Sequence, residues 1–101
     1  MFLVEILLPL YDNGGRPFGP GEFDRVSEEL AGRFGGVTTF RRAPGEGVWR
    51  EGGEESRDRV VVFEVMAEGL DRAWWREYRE ELERRFRQEK IVARATEFVE
   101  L

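Results

Sequence analysis

The sequence predicts a small α+β fold in which strands and helices follow one another in the order β-α-β-β-α-β. Four short runs of apolar and β-branched residues indicate the strands, and two longer segments with apolar residues at helical spacing indicate the helices. The chain has 101 residues, a length typical of a single domain. We therefore expect residues 1–101 to form one domain.

The four predicted strands are separated by stretches rich in glycine, proline and charged residues. They cover residues 2–10, 37–42, 59–66 and 91–99. The third strand contains the run VVVFEV, which is apolar on both of its faces and predicts a sheet covered on both faces. The glycines and charges of residues 43–58 predict a long, exposed loop.

Each predicted helix has an apolar stripe and a recognisable end. The first covers residues 22–34 and ends at Gly35-Gly36, because glycine adopts the left-handed conformation of a helix C-cap without steric cost. The second begins at Asp71, a residue type that caps helix N-termini. Leu70 and Trp75 have the spacing of a hydrophobic staple across that end.

Two split β-α-β units in this order form the ferredoxin-like sandwich. Right-handed crossovers then predict a four-stranded antiparallel sheet of order 4-1-3-2, with both helices on one face. Alternation along the first and third strands leaves an apolar set on the open face, namely Leu3, Leu7, Val60, Val62 and Met66. A monomer rarely exposes such a patch, so we expect a homodimer through the open sheet face.

Three charged residues interrupt strands that otherwise have the pattern of a core: Glu5, Glu64 and Arg94. Alternation puts all three on the open face, where a charge is costly to bury unless it is paired or used. Arg41 of the second strand is expected to join them. Two interpretations stay open: a ligand pocket between two sheets, or an ion-pair cluster that sets the register of a dimer.

Trp49 is a large aromatic residue in a polar segment, and Arg50 follows it. One interpretation is that Trp49 folds back over the edge of the sheet and caps the core. The other is that Trp49 forms a wall of the pocket, with Arg50 at its mouth.

Composition excludes several classes of function. The chain has no cysteine and no histidine, which excludes disulfides and thiolate catalysis and removes the commonest metal ligands; we expect no metal and no cofactor. The net charge of −5, without a basic stripe, argues against nucleic acid as a partner. The apolar start is too short to span a membrane and carries Glu5, so we expect no membrane association and a cytoplasmic protein.

Three motifs resemble a group of small uncharacterised bacterial proteins: Gly36-Val37-Thr38, Gly47-Val48-Trp49 and residues 86–89, Phe-Arg-Gln-Glu. That resemblance implies no known activity. More distantly, the layout resembles the dimeric α+β-barrel superfamily, which includes cofactor-free monooxygenases, isomerases and ligand-sensing domains. Many of those enzymes rely on a histidine, which this chain lacks.

Two hypotheses of function follow. In the first, the protein is a homodimeric domain that binds a small molecule. If it is an enzyme, it is a cofactor-independent one of the isomerase or monooxygenase type. Glu64 or Glu5 would be the base, Arg94 the anchor of a small anionic or aromatic ligand, and Trp49 a wall. In the second, the protein is a non-catalytic regulatory or protein-interaction module in which the same charges set dimer register.

Overall fold

The computed structural model describes the backbone of residues 1–42, 49–51, 54–56 and 60–101, and the side chains of residues 1–40 and 60–101. The predicted β-α-β-β-α-β order is confirmed, with two short strands added between the second and third predicted strands. The elements are β1 (Phe2–Pro9), α1 (Pro20–Phe34), β2 (Thr38–Arg42), β3 (Trp49–Glu51), β4 (Glu54–Ser56), β5 (Val60–Ala67), α2 (Arg72–Arg85) and β6 (Val92–Glu97).

The main sheet contains β2, β5, β1 and β6 in that order, and every neighbouring pair is antiparallel. Numbered as the four predicted strands, this order is 2-3-1-4, which is the predicted 4-1-3-2 viewed from the other edge. β1 and β5 are therefore the central strands, and β2 and β6 form the two edges.

The segment between β2 and β5 differs from the predicted loop. β3 and β4 pair antiparallel in a separate two-stranded sheet, with Trp49 opposite Ser56 and Glu51 opposite Glu54. The prediction of a loop throughout residues 43–58 was wrong because these strands are short and mostly charged. They lack the apolar alternation that identifies a strand from sequence.

Both helices pack on one face of the sheet. Alternate residues of β1 and β5 are buried beneath them, while several neighbouring residues remain partly exposed. Phe63, at the centre of β5, is completely buried. The core consists of Val4, Ile6, Leu8, Phe18, Phe23, Val26, Leu30, Val61, Phe63, Val65, Trp75, Tyr78, Leu82, Phe86 and Ile91.

The end of α1 and the start of α2 follow the predicted capping chemistry, whereas the start of α1 differs from the prediction. α1 begins at Pro20, two residues before the predicted start, because proline at the first helical position needs no hydrogen-bond partner for its nitrogen. α1 ends at Gly35, whose φ is 81°, as glycine permits. At α2, the carboxylate of Asp71 accepts a hydrogen bond from the backbone N–H of Trp74 at 3.1 Å. Neither of these helices is long and apolar enough to cross a membrane.

An ion pair joins the two helices. Arg85 donates from Nη1 and Nη2 to the two carboxylate oxygens of Glu29, at 2.5 and 2.7 Å. The Tyr78 hydroxyl donates to the same carboxylate at 3.2 Å. Hydrogen bonding from Arg85 lowers the pKa of Glu29, and burial raises the pKa of Tyr78. A bidentate arginine–carboxylate pair is directional, so it favours one orientation of the two helices relative to each other.

Candidate functional site

The three charged residues of the predicted open face lie in one row across the sheet. Glu5 of β1 is directly opposite Glu64 of β5 on one side and Arg94 of β6 on the other. Thr38 of β2 is opposite Glu64 and extends the row to the far edge. Directly paired residues of antiparallel strands share a face. We call Thr38, Glu64, Glu5 and Arg94 the polar row.

The charges of the polar row differ in their access to solvent. Arg94 Nε donates to Glu5 Oε1 at 3.3 Å, and the side chain of Glu5 is 14% exposed whereas that of Arg94 is 51% exposed. Glu64 is half-buried. Arg94 therefore offsets the charge of a largely covered carboxylate while keeping its own guanidinium open to a ligand.

An open groove of about 880 Å³ lies beside the polar row, and Glu64 and Thr38 form part of its lining. Leu3, Met66 and Phe34 contribute apolar surface to the same groove. Carboxylate, hydroxyl and apolar groups thus face one space. This combination is typical of small-molecule sites, which are mostly apolar with a few polar groups that orient the ligand.

Arg33 brings a guanidinium to the lining of this groove. Its guanidinium carbon lies 4.1 Å from the ring centre of Trp74, a cation–π contact. A terminal nitrogen of Arg33 lies 3.9 Å from the carboxylate of Asp71. These contacts hold Arg33 near the C-terminal end of α1, across the groove from β5.

The apolar open face is smaller than predicted. Val62 is completely buried within the single chain, and Met66 is 55% exposed. Leu3, Leu7 and Val60 are half-buried. The exposed apolar surface at the centre of this face therefore comes mainly from Met66, with partial contributions from its neighbours.

The other predicted site residues lie apart from the polar row or beyond the described side chains. Arg41 is opposite Val61, a core residue three positions before Glu64. Alternation therefore puts Arg41 on the helix-bearing face, and the expectation that it joins the polar row was wrong because the register of β2 was not known. Trp49 and Arg50 belong to β3, which pairs with β4. The side chains of these three residues lie outside the described part of the chain, as do Gly47 and Val48 of the second motif. The roles of Trp49 and Arg50 stay predictions.

Sequence reasoning missed two residues of this region, Thr38 and Arg33. Thr38 gave no clear signal, because alternation puts it on the same face as Phe40 and only the register places it opposite Glu64. Arg33 gave no signal either, since its place at the groove depends on α1 packing beside Trp74. Among the described residues, no group of three carboxylates lies close enough to hold a metal ion.

No protein-family model matches this chain, and no curated protein matches it. Two solved structures share its fold. A phage SAM lyase in complex with S-methyl-5′-thioadenosine aligns with a TM-score of 0.65 and 17% identity, covering 95% of this chain and 80% of that one. A phage SAM lyase in the apo state aligns with a TM-score of 0.60 and 18% identity, covering 94% and 78%.

The TM-scores show a shared α+β fold, and at these low sequence identities they show no shared function. The chain thus has the architecture of a ferredoxin-like sandwich with a polar row on its open face. Its resemblance to the small bacterial group and to the dimeric α+β-barrel superfamily stays a prediction.

Proposed function

We propose that this protein binds a small molecule on its open sheet face, in the groove beside Glu64. The observation that carries the proposal is the polar row, because it aligns two carboxylates and a guanidinium across the sheet, and one of those carboxylates, Glu64, lines the groove beside apolar surface. The carboxylates suit a cationic group, and Arg94 suits an anionic one. Leu3 and Met66 offer packing surface for a ring.

The ligand class we propose is an adenosyl sulfonium or thioether. Support comes from the shared fold of two chains named SAM lyases, one of them with S-methyl-5′-thioadenosine bound. S-Adenosylmethionine (SAM) carries a positive sulfonium, a carboxylate and an aromatic base. Each has a chemical complement here: the carboxylate of Glu64, the guanidinium of Arg94 or Arg33, and the apolar lining of the groove.

The proposed chemistry is cofactor-independent, with Glu64 as the base and Glu5 beside it. With no histidine or cysteine in the chain, carboxylates are the groups that can accept a proton near neutral pH. A lyase, an isomerase and a monooxygenase of the cofactor-free type would all use such a base. Of these, the lyase has the added support of the structural comparison.

We propose that the protein works as a homodimer through the same face. Met66 is exposed and Val92 of β6 is 43% exposed, so a second copy would cover apolar surface. In a two-fold symmetric dimer, each contact between the two copies occurs twice. It would bring Arg94 of one copy towards the carboxylates of the other and would close the open groove.

The test measures binding of SAM and of S-methyl-5′-thioadenosine by calorimetry, and release of S-methyl-5′-thioadenosine from SAM by chromatography. We expect the wild type to bind at least one of them and Glu64→Gln to lose that binding with little change in melting temperature. Glu77→Gln, an exposed change on α2, is the matched control and should bind normally. No binding of either compound by the wild type would refute this ligand class.

The second candidate is a non-catalytic interaction module. The ion pair of Glu5 with Arg94, at 3.3 Å, favours it because such pairs can set the register of an interface. In that case Glu64→Gln would destabilise the protein, and no compound would bind the wild type. Melting and binding measured on the same samples separate the two candidates.

A further inference from the structure

A cleft of about 330 Å³ separates the edge strand β6 from helix α2 on the helix-bearing side of the sheet. Two alanines explain why the space is unfilled. Ala93 is opposite Ile6 and Ala95 is opposite Val4, so both alanines occupy helix-facing positions where β1 carries larger side chains. Val4 and Trp75, both buried, also line the cleft.

Three arginines of α2 line the same cleft: Arg72, Arg76 and Arg79. Their spacing of four and three residues puts them on one side of the helix. Arg79 is held by Glu83 at 2.9 Å, and Glu83 in turn accepts a hydrogen bond from the backbone N–H of Ile91 at 2.9 Å. This ties the α2 side of the cleft to the start of β6.

Arg72 and Arg76 are different, because both are exposed and neither has an ion pair or side-chain hydrogen bond within the described part of the chain. Elsewhere on the same helix, Arg79 and Arg85 are each paired with carboxylates. Two uncompensated guanidinium groups on one cleft are a local surplus of positive charge in a chain whose net charge is −5.

We infer that this cleft binds a small organic anion with an apolar body, such as an aryl phosphate or an aryl carboxylate. The ring would lie in the space above Ala93 and Ala95, against Trp75. The anionic group would accept hydrogen bonds from Arg72 and Arg76, whose planar guanidinium groups match phosphate and carboxylate oxygens. The volume is near the lower end for ligand pockets and therefore suits one small aromatic unit.

This cleft is separate from the groove beside Glu64. The two spaces have no lining residue in common. Arg94, which is paired with Glu5 in the polar row, also lines the cleft from the edge strand. The inference therefore does not rest on the proposed function. SAM binding should respond to Glu64→Gln and anion binding to Arg76→Gln, because each of these residues lines only one of the two spaces.

The test titrates the protein with 1-naphthyl phosphate by calorimetry and repeats the titration with 1-naphthol, which lacks the anion. We expect saturable binding of the phosphate and much weaker binding of the naphthol. Arg76→Gln should weaken phosphate binding about tenfold, since it removes a charge-assisted hydrogen bond. Ala95→Leu should abolish binding because its side chain fills the cleft.

Arg84→Gln is the matched control. It makes the same charge change on the same helix at an exposed residue outside the cleft, so affinity should stay within about twofold of the wild type. Circular dichroism checks the fold of each variant. If Ala95→Leu does not fold, the comparison of phosphate affinity between Arg76→Gln and Arg84→Gln decides the outcome. Equal losses in those two variants, or no saturable binding to the wild type, would overturn the inference.

Discussion

Glu5 and Glu64 lie directly opposite each other on the two central strands of the sheet. Like charges in this position destabilise an antiparallel pair. Their presence therefore requires either a compensating interaction within the protein or a role in function. Arg94 supplies part of the compensation, since its Nε lies 3.3 Å from Glu5 Oε1. The same arrangement concentrates negative charge at the centre of the open face, where a cationic ligand group would be stabilised.

The first prediction concerns the Glu5–Arg94 pair. Arg94→Gln should lower the free energy of unfolding by about 1 to 2 kcal/mol, because it removes the cation next to a largely covered carboxylate. The double variant Glu5→Gln/Arg94→Gln should recover part of that loss, since it also removes the repulsion from Glu64. Urea unfolding of both variants measures this, and equal stability of all three proteins would mean that the pair contributes nothing.

The second prediction concerns the oligomer. Sedimentation of the wild type at micromolar concentration should give the mass of a dimer, and Met66→Asp should give a folded monomer. Met66 is the suitable position because it is 55% exposed, whereas Val62 is completely buried in one chain and a charge there would disturb folding. Glu68→Gln, an exposed change two residues along, is the control. A monomeric wild type would contradict the prediction.

The third prediction compares the core with a helix cap. Phe63→Ala should cost about 3 to 5 kcal/mol, because it leaves a cavity under the helices. Asp71→Ala should cost roughly 1 kcal/mol, because it removes the acceptor for the N–H of Trp74. Denaturant melts of the two variants measure both values. If Phe63→Ala were the milder change, helix packing on this face of β5 would contribute little to stability.

The fourth prediction concerns pH and the interhelical pair. Hydrogen bonding from Arg85 lowers the pKa of Glu29 below its ordinary value of 4.5. A carboxylate whose pKa is lower in the folded state contributes stability above its unfolded value, and that stability is lost as the pH falls through the folded value. Wild-type stability should therefore decrease more below pH 4.5 than that of Glu29→Gln. Urea midpoints measured across this range test it, and parallel curves would count against the pair.

The sequence alone determined the fold class, the order of the strands, the end of α1 and the start of α2. Alternation assigned Phe63 to the buried face and Glu64 to the open one, because a strand repeats every two residues. Gly35 and Asp71 marked helix ends because their local conformational and hydrogen-bonding preferences do not depend on distant contacts. Local periodicity and handedness were sufficient for these features.

Only the tertiary structure decided the register and what it brings together. One residue of slippage would have moved Glu5 to the helix-bearing face, and alternation within each strand cannot tell which residues lie opposite one another. Val62 has the sequence pattern of open-face surface yet is completely buried, and Arg33 reaches the groove through α1 packing beside Trp74. Burial and site geometry depend on contacts between residues far apart in the chain, which no local pattern records.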